Sequence, residues 1–220
     1  METADGSRER KARGRFYTPQ HVVDFVLDAT LGRVLDETRF PADRPLRVLD
    51  PSCGDGAFLL PAFRRLLARH AGTDPQLPPA ERLRILLAHV YGVDLDPAAV
   101  GACRRRLLDA AFEGSDNGDD ARAAAATALA RNVRCGDALL APEPLLGGDG
   151  PAGQGTDLGG FAWADAERGF GAVLAEGGFD AVVGNPPYLN LKRGFLDPER
   201  KRRLEEAYRT AAGQYDAFAP

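Results

Sequence analysis

At 220 residues with 44% hydrophobic positions, the chain is long enough for one full-sized domain and apolar enough to build a core. No apolar stretch approaches the roughly 20 residues of a membrane span, and the opening Met1-Glu-Thr-Ala-Asp-Gly-Ser7 is polar rather than signal-like, which predicts a cytoplasmic protein. A net charge of -4 argues against a chain that alone grips a polyanion, since that affinity comes mainly from Lys and Arg on phosphates.

Thr18-Pro19 reads as an N-cap and first helical residue, and Val22, Val23, Phe25, Val26 and Ala29 then recur at helical spacing to about Leu35. Residues 46–50 form a short apolar run closed by Pro51, Gly54 and Gly56, and a helical pattern follows over 58–69. Pro75, Pro78 and Pro79 mark a connection to a helix over 80–88, and residues 89–94 read as a second strand. Another helix starts near Pro97. The Asp/Gly-rich stretch 113–120 interrupts the chain before an alanine-rich helix over 121–130 and a third strand over 132–135. Residues 142–160 turn to Gly, Pro and Asp with neither hydrophobic period, which predicts a surface insertion, flexible or disordered. Residues 161–176 return to helix or turn, 179–184 are the fourth strand, and 198–211 a strongly charged helix. Strands alternating with helices predict an α/β fold with a parallel, doubly wound sheet, occupying 18–220 behind a basic segment over 1–17.

Two basic clusters stand out: Arg8, Arg10, Lys11, Arg13 and Arg15, then Lys192, Arg193, Arg200, Lys201, Arg202 and Arg203. Either alone reads as a solvated face. Cys53, Cys103 and Cys135 lack paired metal-ligand spacing, so neither a disulfide framework nor a metal site is expected.

In an open parallel sheet, ligands sit beyond the carboxyl ends of the strands, where the strand order reverses. The run Asp50-Pro51-Ser52-Cys53-Gly54-Asp55-Gly56 puts a carboxylate at such an end and glycines where backbone must approach a ligand. Asp94, ending the second strand, has the position of an acid that accepts two ribose hydroxyls. A nucleotide fold shares this layout. The loop lacks G-x-G-x-x-G and the Lys of a phosphate cradle, and its acids suit an ammonium or sulfonium better than a pyrophosphate.

Six segments carry a resemblance: Gly14-Arg-Phe-Tyr-Thr-Pro19, Val48-Leu-Asp-Pro-Ser-Cys-Gly-Asp-Gly-Ala-Phe58, Tyr91-Gly-Val-Asp-Leu-Asp-Pro97, Cys135-Gly-Asp-Ala-Leu139, Phe179-Asp-Ala-Val-Val-Gly-Asn-Pro-Pro-Tyr188 and Gly213-Gln-Tyr-Asp-Ala-Phe218. The chain is similar to the gamma class of adenine-specific DNA amino-methyltransferases, particularly those of type IIG restriction-modification systems. The resemblance implies a Rossmann-like fold with S-adenosylmethionine as cofactor. Thr18 would meet its methionine carboxylate, Asp50, Pro51, Ser52, Cys53 and Gly54 its amino-acid moiety, and Asp94 its ribose. Leu95 would press on the adenine ring and Asp137 accept its amine, with Pro187 also at the cofactor. Thr18 reads equally as a plain helix cap, and Asp137 as a turn-stabilising Asp.

The tetrapeptide Asn185-Pro186-Pro187-Tyr188 suits methylation of an amine on an aromatic ring, a poor nucleophile whose lone pair is delocalised. The Asn185 side-chain oxygen and the Pro186 carbonyl would accept the amine hydrogens and favour the tetrahedral nitrogen of the transition state. Tyr188 would stack on a base flipped out of duplex DNA. The tetrapeptide also occurs in enzymes acting on a protein glutamine or on RNA, so it fixes chemistry rather than substrate; Gly14 to Pro19 and Phe161-Ala-Trp163 favour DNA. The resembled sheet has seven strands and four are legible here. The expectation is therefore a fold truncated after the fourth strand, a fragment or subunit completed by a second chain or downstream domain that brings target recognition. The alternative is a cofactor-binding remnant without activity of its own.

Overall fold

The apolar runs do become strands, trimmed to the stretches where a neighbouring strand pairs. A computed structural model describes residues 18–36, 45–72, 77–115, 118–140, 160–186 and 198–208. Its strands are β1 (Val48–Asp50), β2 (Val90–Asp94), β3 (Val133–Cys135) and β4 (Ala181–Val182), all parallel in the order β3-β2-β1-β4. Register is tight: Val48 lies between Val90 and Ala181, and Leu49 between Tyr91 and Val182. The order reverses between β1 and β4, so the switch point of this sheet lies at the ends of those two strands.

Alternation along the strands divides the core into two layers. Val48 and Val90 face the larger one, built with Leu59, Phe63 and Leu66 of α3 (Leu59–Ala71), Ile85 and Leu86 of α4 (Pro79–His89), Cys103 and Leu107 of α5 (Pro97–Ala111) and Leu129 of α6 (Asp119–Leu129). Leu49, Tyr91 and Val93 face the other, where Phe161 and Phe170 cover the sheet ahead of the short α7 (Gly171–Ala175). Tyr91, Phe170 and Phe179 meet edge to face at centroid distances of 5.4 to 5.5 Å, the preferred geometry of rings with opposed edge and face charge.

The first helix departs from expectation at its start. Pro19, not Thr18, occupies the N-cap of α1 (Gln20–Leu27), its carbonyl accepting from the amides of Val22 and Val23, with no side-chain cap. The helix then passes through a π turn, Asp28–Gly32, into α2 (Arg33–Asp36). There the Thr30 hydroxyl donates to the Val26 carbonyl at 2.7 Å, a back-bond that competes with the helical ladder.

The charged helix is α8 (Pro198–Ala207). Within it Lys201 pairs with Glu205, and Arg202 with Glu199 and Glu206. Two of the six cations of the second basic cluster, Lys201 and Arg202, are thus paired within their own helix. The first cluster, the segment 1–17, the predicted insertion up to residue 159, Pro187, Tyr188 and the segment at Gly213 lie outside the described residues; Gly160 is described, and bridges Asp137. No helix of the described residues is long and apolar enough to cross a membrane.

Candidate active site at the strand ends

Because all four strands are parallel, their carboxyl ends share one edge, and Asp50, Asp94 and Asn185 lie along it. Asp50 ends β1 almost wholly buried, at 1% exposure. Its Oδ1 accepts from the Ser52 amide at 2.9 Å and meets the Ser52 hydroxyl at 3.5 Å. Burial pushes the carboxyl up to about 7; the Ser52 amide and hydroxyl oppose that shift and the nearby Asp94 charge adds to it. The cleft thus holds a carboxyl that a cationic ligand would ionise.

Asp94 ends β2 and is fixed at both oxygens. Oδ2 accepts from the Gly54 amide at 2.7 Å and Oδ1 from the Asp96 amide at 2.9 Å. Each carboxylate oxygen carries two lone pairs, so one remains on each, side by side, as a vicinal diol needs. The glycine loop is also stitched to β2 by the Cys53 amide on the Val93 carbonyl, 2.9 Å. The Cys53 thiol is buried, and its hydrogen bond with Cys103, then burial, push its pKa up; it packs the loop rather than reacting. Pro51 is half-buried in the turn, and Leu95 presents an apolar side chain at 42% exposure.

Gly184 brings β4's end against β1's. A Cβ there would stand 2.6 Å from Asp50 Oδ1 and 3.4 Å from Ser52 Oγ, so only glycine lets the chain pass. The next residue, Asn185, donates from Nδ2 to the Thr18 hydroxyl at 3.1 Å. That bond ties the nitrogen end of the amide and leaves the oxygen as the other end. Thr18 itself is 9% exposed, and Pro186 follows exposed. Thr18, Asp50, Ser52, Gly184 and Asn185 thereby form one contiguous cluster.

Asp137 stands apart. It lies beyond β3 at 2% exposure, and its carboxylate is taken by Arg200 of α8, Nε to Oδ2 at 2.6 Å and Nη2 to Oδ1 at 3.3 Å. Oδ1 also accepts from the Leu139 amide at 3.1 Å, the turn-stabilising use. Sequence reasoning counted Arg200 only as one of a basic run; its spacing of four from Leu204 and eight from Tyr208 was the signal that one face turns inward. Among the described residues, no cluster of three or more metal-ligating side chains is present.

The residues present fit S-adenosylmethionine: a buried carboxyl poised for an ammonium, a pinned carboxylate for a diol and the exposed apolar side chain of Leu95 just beyond β2. Comparison with known proteins identifies the family. A family model described as Eco57I restriction-modification methylase matches residues 88–220. An adenine-specific methyltransferase, PglX of Streptomyces coelicolor, is 32% identical over 217 residues, which are 96% of this chain and 17% of the relative. The type II methyltransferase M.PaeR7I of Pseudomonas aeruginosa is 33% identical over 219 residues, 96% of this chain and 29% of its own length. A putative type II restriction enzyme and methyltransferase of Methanocaldococcus jannaschii, RM.MjaORFECS2P, is 35% identical over 101 residues, 43% of this chain and 9% of that protein. The chain therefore spans less than a third of the curated relatives it matches.

Proposed function

The chain belongs to the Eco57I restriction-modification methylase family, and from that premise we propose that it binds S-adenosylmethionine and presents Asn185 and Pro186 to the 6-amino group of an adenine flipped out of DNA. The observation that carries this reading is the Asn185 Nδ2 bond to Thr18 at 3.1 Å, which orients the amide so that its oxygen is the acceptor offered to an amine.

The cofactor, when bound, supplies a methyl group on a cationic sulfur. Asp50 pairs with the ammonium at the switch point, Asp94 accepts the ribose hydroxyls through its two remaining lone pairs, and Leu95 packs on the adenine ring. Asn185 Oδ1 and the Pro186 carbonyl would hold the two amine hydrogens and favour the tetrahedral nitrogen, whose lone pair is then free to accept a methyl group. These bonds strengthen as positive charge grows on that nitrogen, which makes them transition-state contacts. No side-chain nucleophile takes part, and the amine loses a proton once methylated. Tyr188 supplies one stacking face for the base. Target recognition is assigned to residues outside these 220, a downstream domain or second chain, because the chain covers 17% and 29% of its first two relatives. We place the enzyme in the cytoplasm.

Calorimetry with S-adenosylmethionine tests the cofactor, and labelled methyl transfer to DNA, RNA and a release-factor-like protein side by side tests the substrate. Asn185→Ala lowers turnover about a hundredfold or more while leaving cofactor affinity within a few-fold; Asp94→Ala does the reverse. Equal loss of both quantities in Asn185→Ala removes it from the reacting amine, and transfer to RNA or protein alone overturns the DNA assignment.

A further inference from the structure

The helix that follows the tetrapeptide is fastened to the cofactor side of the sheet by one face. Arg200 reaches the Asp137 carboxylate with two hydrogen bonds. Leu204, fully buried, packs with Leu140 and Leu139. The Tyr208 hydroxyl donates to the Leu139 carbonyl at 2.7 Å. All three land on the single turn 137–140, which closes on itself through the Leu140 amide and the Asp137 carbonyl at 3.3 Å. Arg200 and Asp137 are both largely buried, with side-chain exposures of 9% and 2%. Removing one partner of such a pair strands a charge and is strongly destabilising, whereas a solvated helix face contributes little.

From this we infer that Arg200 is a positioning residue for the cofactor site: its ion pair with Asp137 locks α8 onto the turn 137–140, so that cofactor binding at that turn and ordering of the helix reinforce each other. The inference rests on the functional reading above, together with the role that the family resemblance implies for Asp137, acceptor of the cofactor's adenine amine. A carboxylate offers about four acceptor positions; Arg200 uses two and the Leu139 amide one, which leaves one for the amine. The two partners therefore share the carboxylate instead of competing for it. Each also needs the turn 137–140 ordered, and once one has ordered it the other binds a preformed surface, which is positive coupling.

Hydrogen exchange along α8, measured on the chain with and without saturating S-adenosylmethionine, tests this directly. In the wild type the cofactor slows exchange of the α8 amides at least about fivefold. Arg200→Gln abolishes that slowing while cofactor still binds, weakened by no more than the same factor as reciprocity requires; Arg200→Lys restores part of it. Leu204→Ala loosens α8 by packing alone, so it speeds exchange with and without cofactor and keeps the ratio. An α8 indifferent to cofactor in the wild type, or slowed equally in Arg200→Gln, overturns the proposal. Calorimetry on the wild-type chain separates the two levels, since absence of cofactor binding there overturns the functional reading and this inference with it.

Discussion

Gly184 is where a single hydrogen atom decides the site. The carboxylate it passes is held by the Ser52 amide at 2.9 Å and enclosed at 1% exposure, so it has nowhere to retreat when a methyl group arrives 2.6 Å from Oδ1. The backbone after β4 has to yield, and it carries Asn185. Gly184→Ala accordingly breaks the Asn185 bond to Thr18 and lowers methyl transfer about a hundredfold, the usual effect of misplacing a reacting group by about an ångström. Cofactor affinity falls less, since Asp94 is untouched; steady-state kinetics beside calorimetry separates the two, and unchanged turnover removes the close approach from the mechanism. Thr18 shows what was legible at this scale. Its place before a proline reads locally as a helix cap, but the hydroxyl serves an amide 167 residues away. Spacing reveals the residue type and its neighbours in sequence, not a partner brought in by the sheet.

At the scale of elements, the strands were legible as apolar runs; in β1 and β2 burial on both faces suppresses polar residues, whereas Val182 of β4 is exposed. The strand ends were not legible. The run at 179–184 pairs only over Ala181–Val182, since the chain beyond must turn across Asp50. The charged helix was legible as a helix, while its inward face was masked by Arg200 standing in a run of basic residues. One contact between elements makes a sharp test. A Cβ on Gly92 of β2 would stand 2.7 Å from Leu59 Cδ1 at the start of α3 and 3.1 Å from Cys53 Sγ in the glycine loop. Both neighbours are buried, Leu59 at 0% and Cys53 at 2%, so Gly92→Ala overpacks the joint between strand, loop and helix. A loss of about 1–3 kcal/mol is expected in chemical denaturation. Adding Leu59→Val relieves the closest contact and recovers part of that loss despite the methylene it removes. Strict additivity of the two substitutions is the result that removes the clash from the account.

For the whole molecule, the titrating groups at the two ends of the sheet pull stability in opposite directions. At the ligand end, burial holds Asp50 up to about 7, so between pH of about 4 and 7 the folded chain keeps a proton that the unfolded chain has released. Stability from that proton is complete in acid and is lost as pH rises to 7. At the far end, His70 and His89 meet at 3.1 Å between their Nε2 atoms, and His89 Nδ1 bonds the Leu46 carbonyl at 2.6 Å. Burial, with the Arg84 charge nearby, lowers both, so their contribution is present above pH of about 6.5 and lost as pH falls. The cofactor acts on the first of these alone. An ammonium beside Asp50 favours its ionised form, so binding below pH 7 expels a proton and weakens about tenfold for each unit of acidification. Above pH of about 8 the amine of the ligand loses its own charge and affinity declines again. Titration calorimetry across pH 5.5 to 9, roughly bracketing both limbs, therefore traces a bell whose acid limb belongs to Asp50. In Asp50→Asn the acid limb disappears and the alkaline limb stays, with weaker binding throughout. A wild-type affinity level from pH 5.5 to about 7, or an acid limb that survives in Asp50→Asn, places the ammonium elsewhere in the cleft.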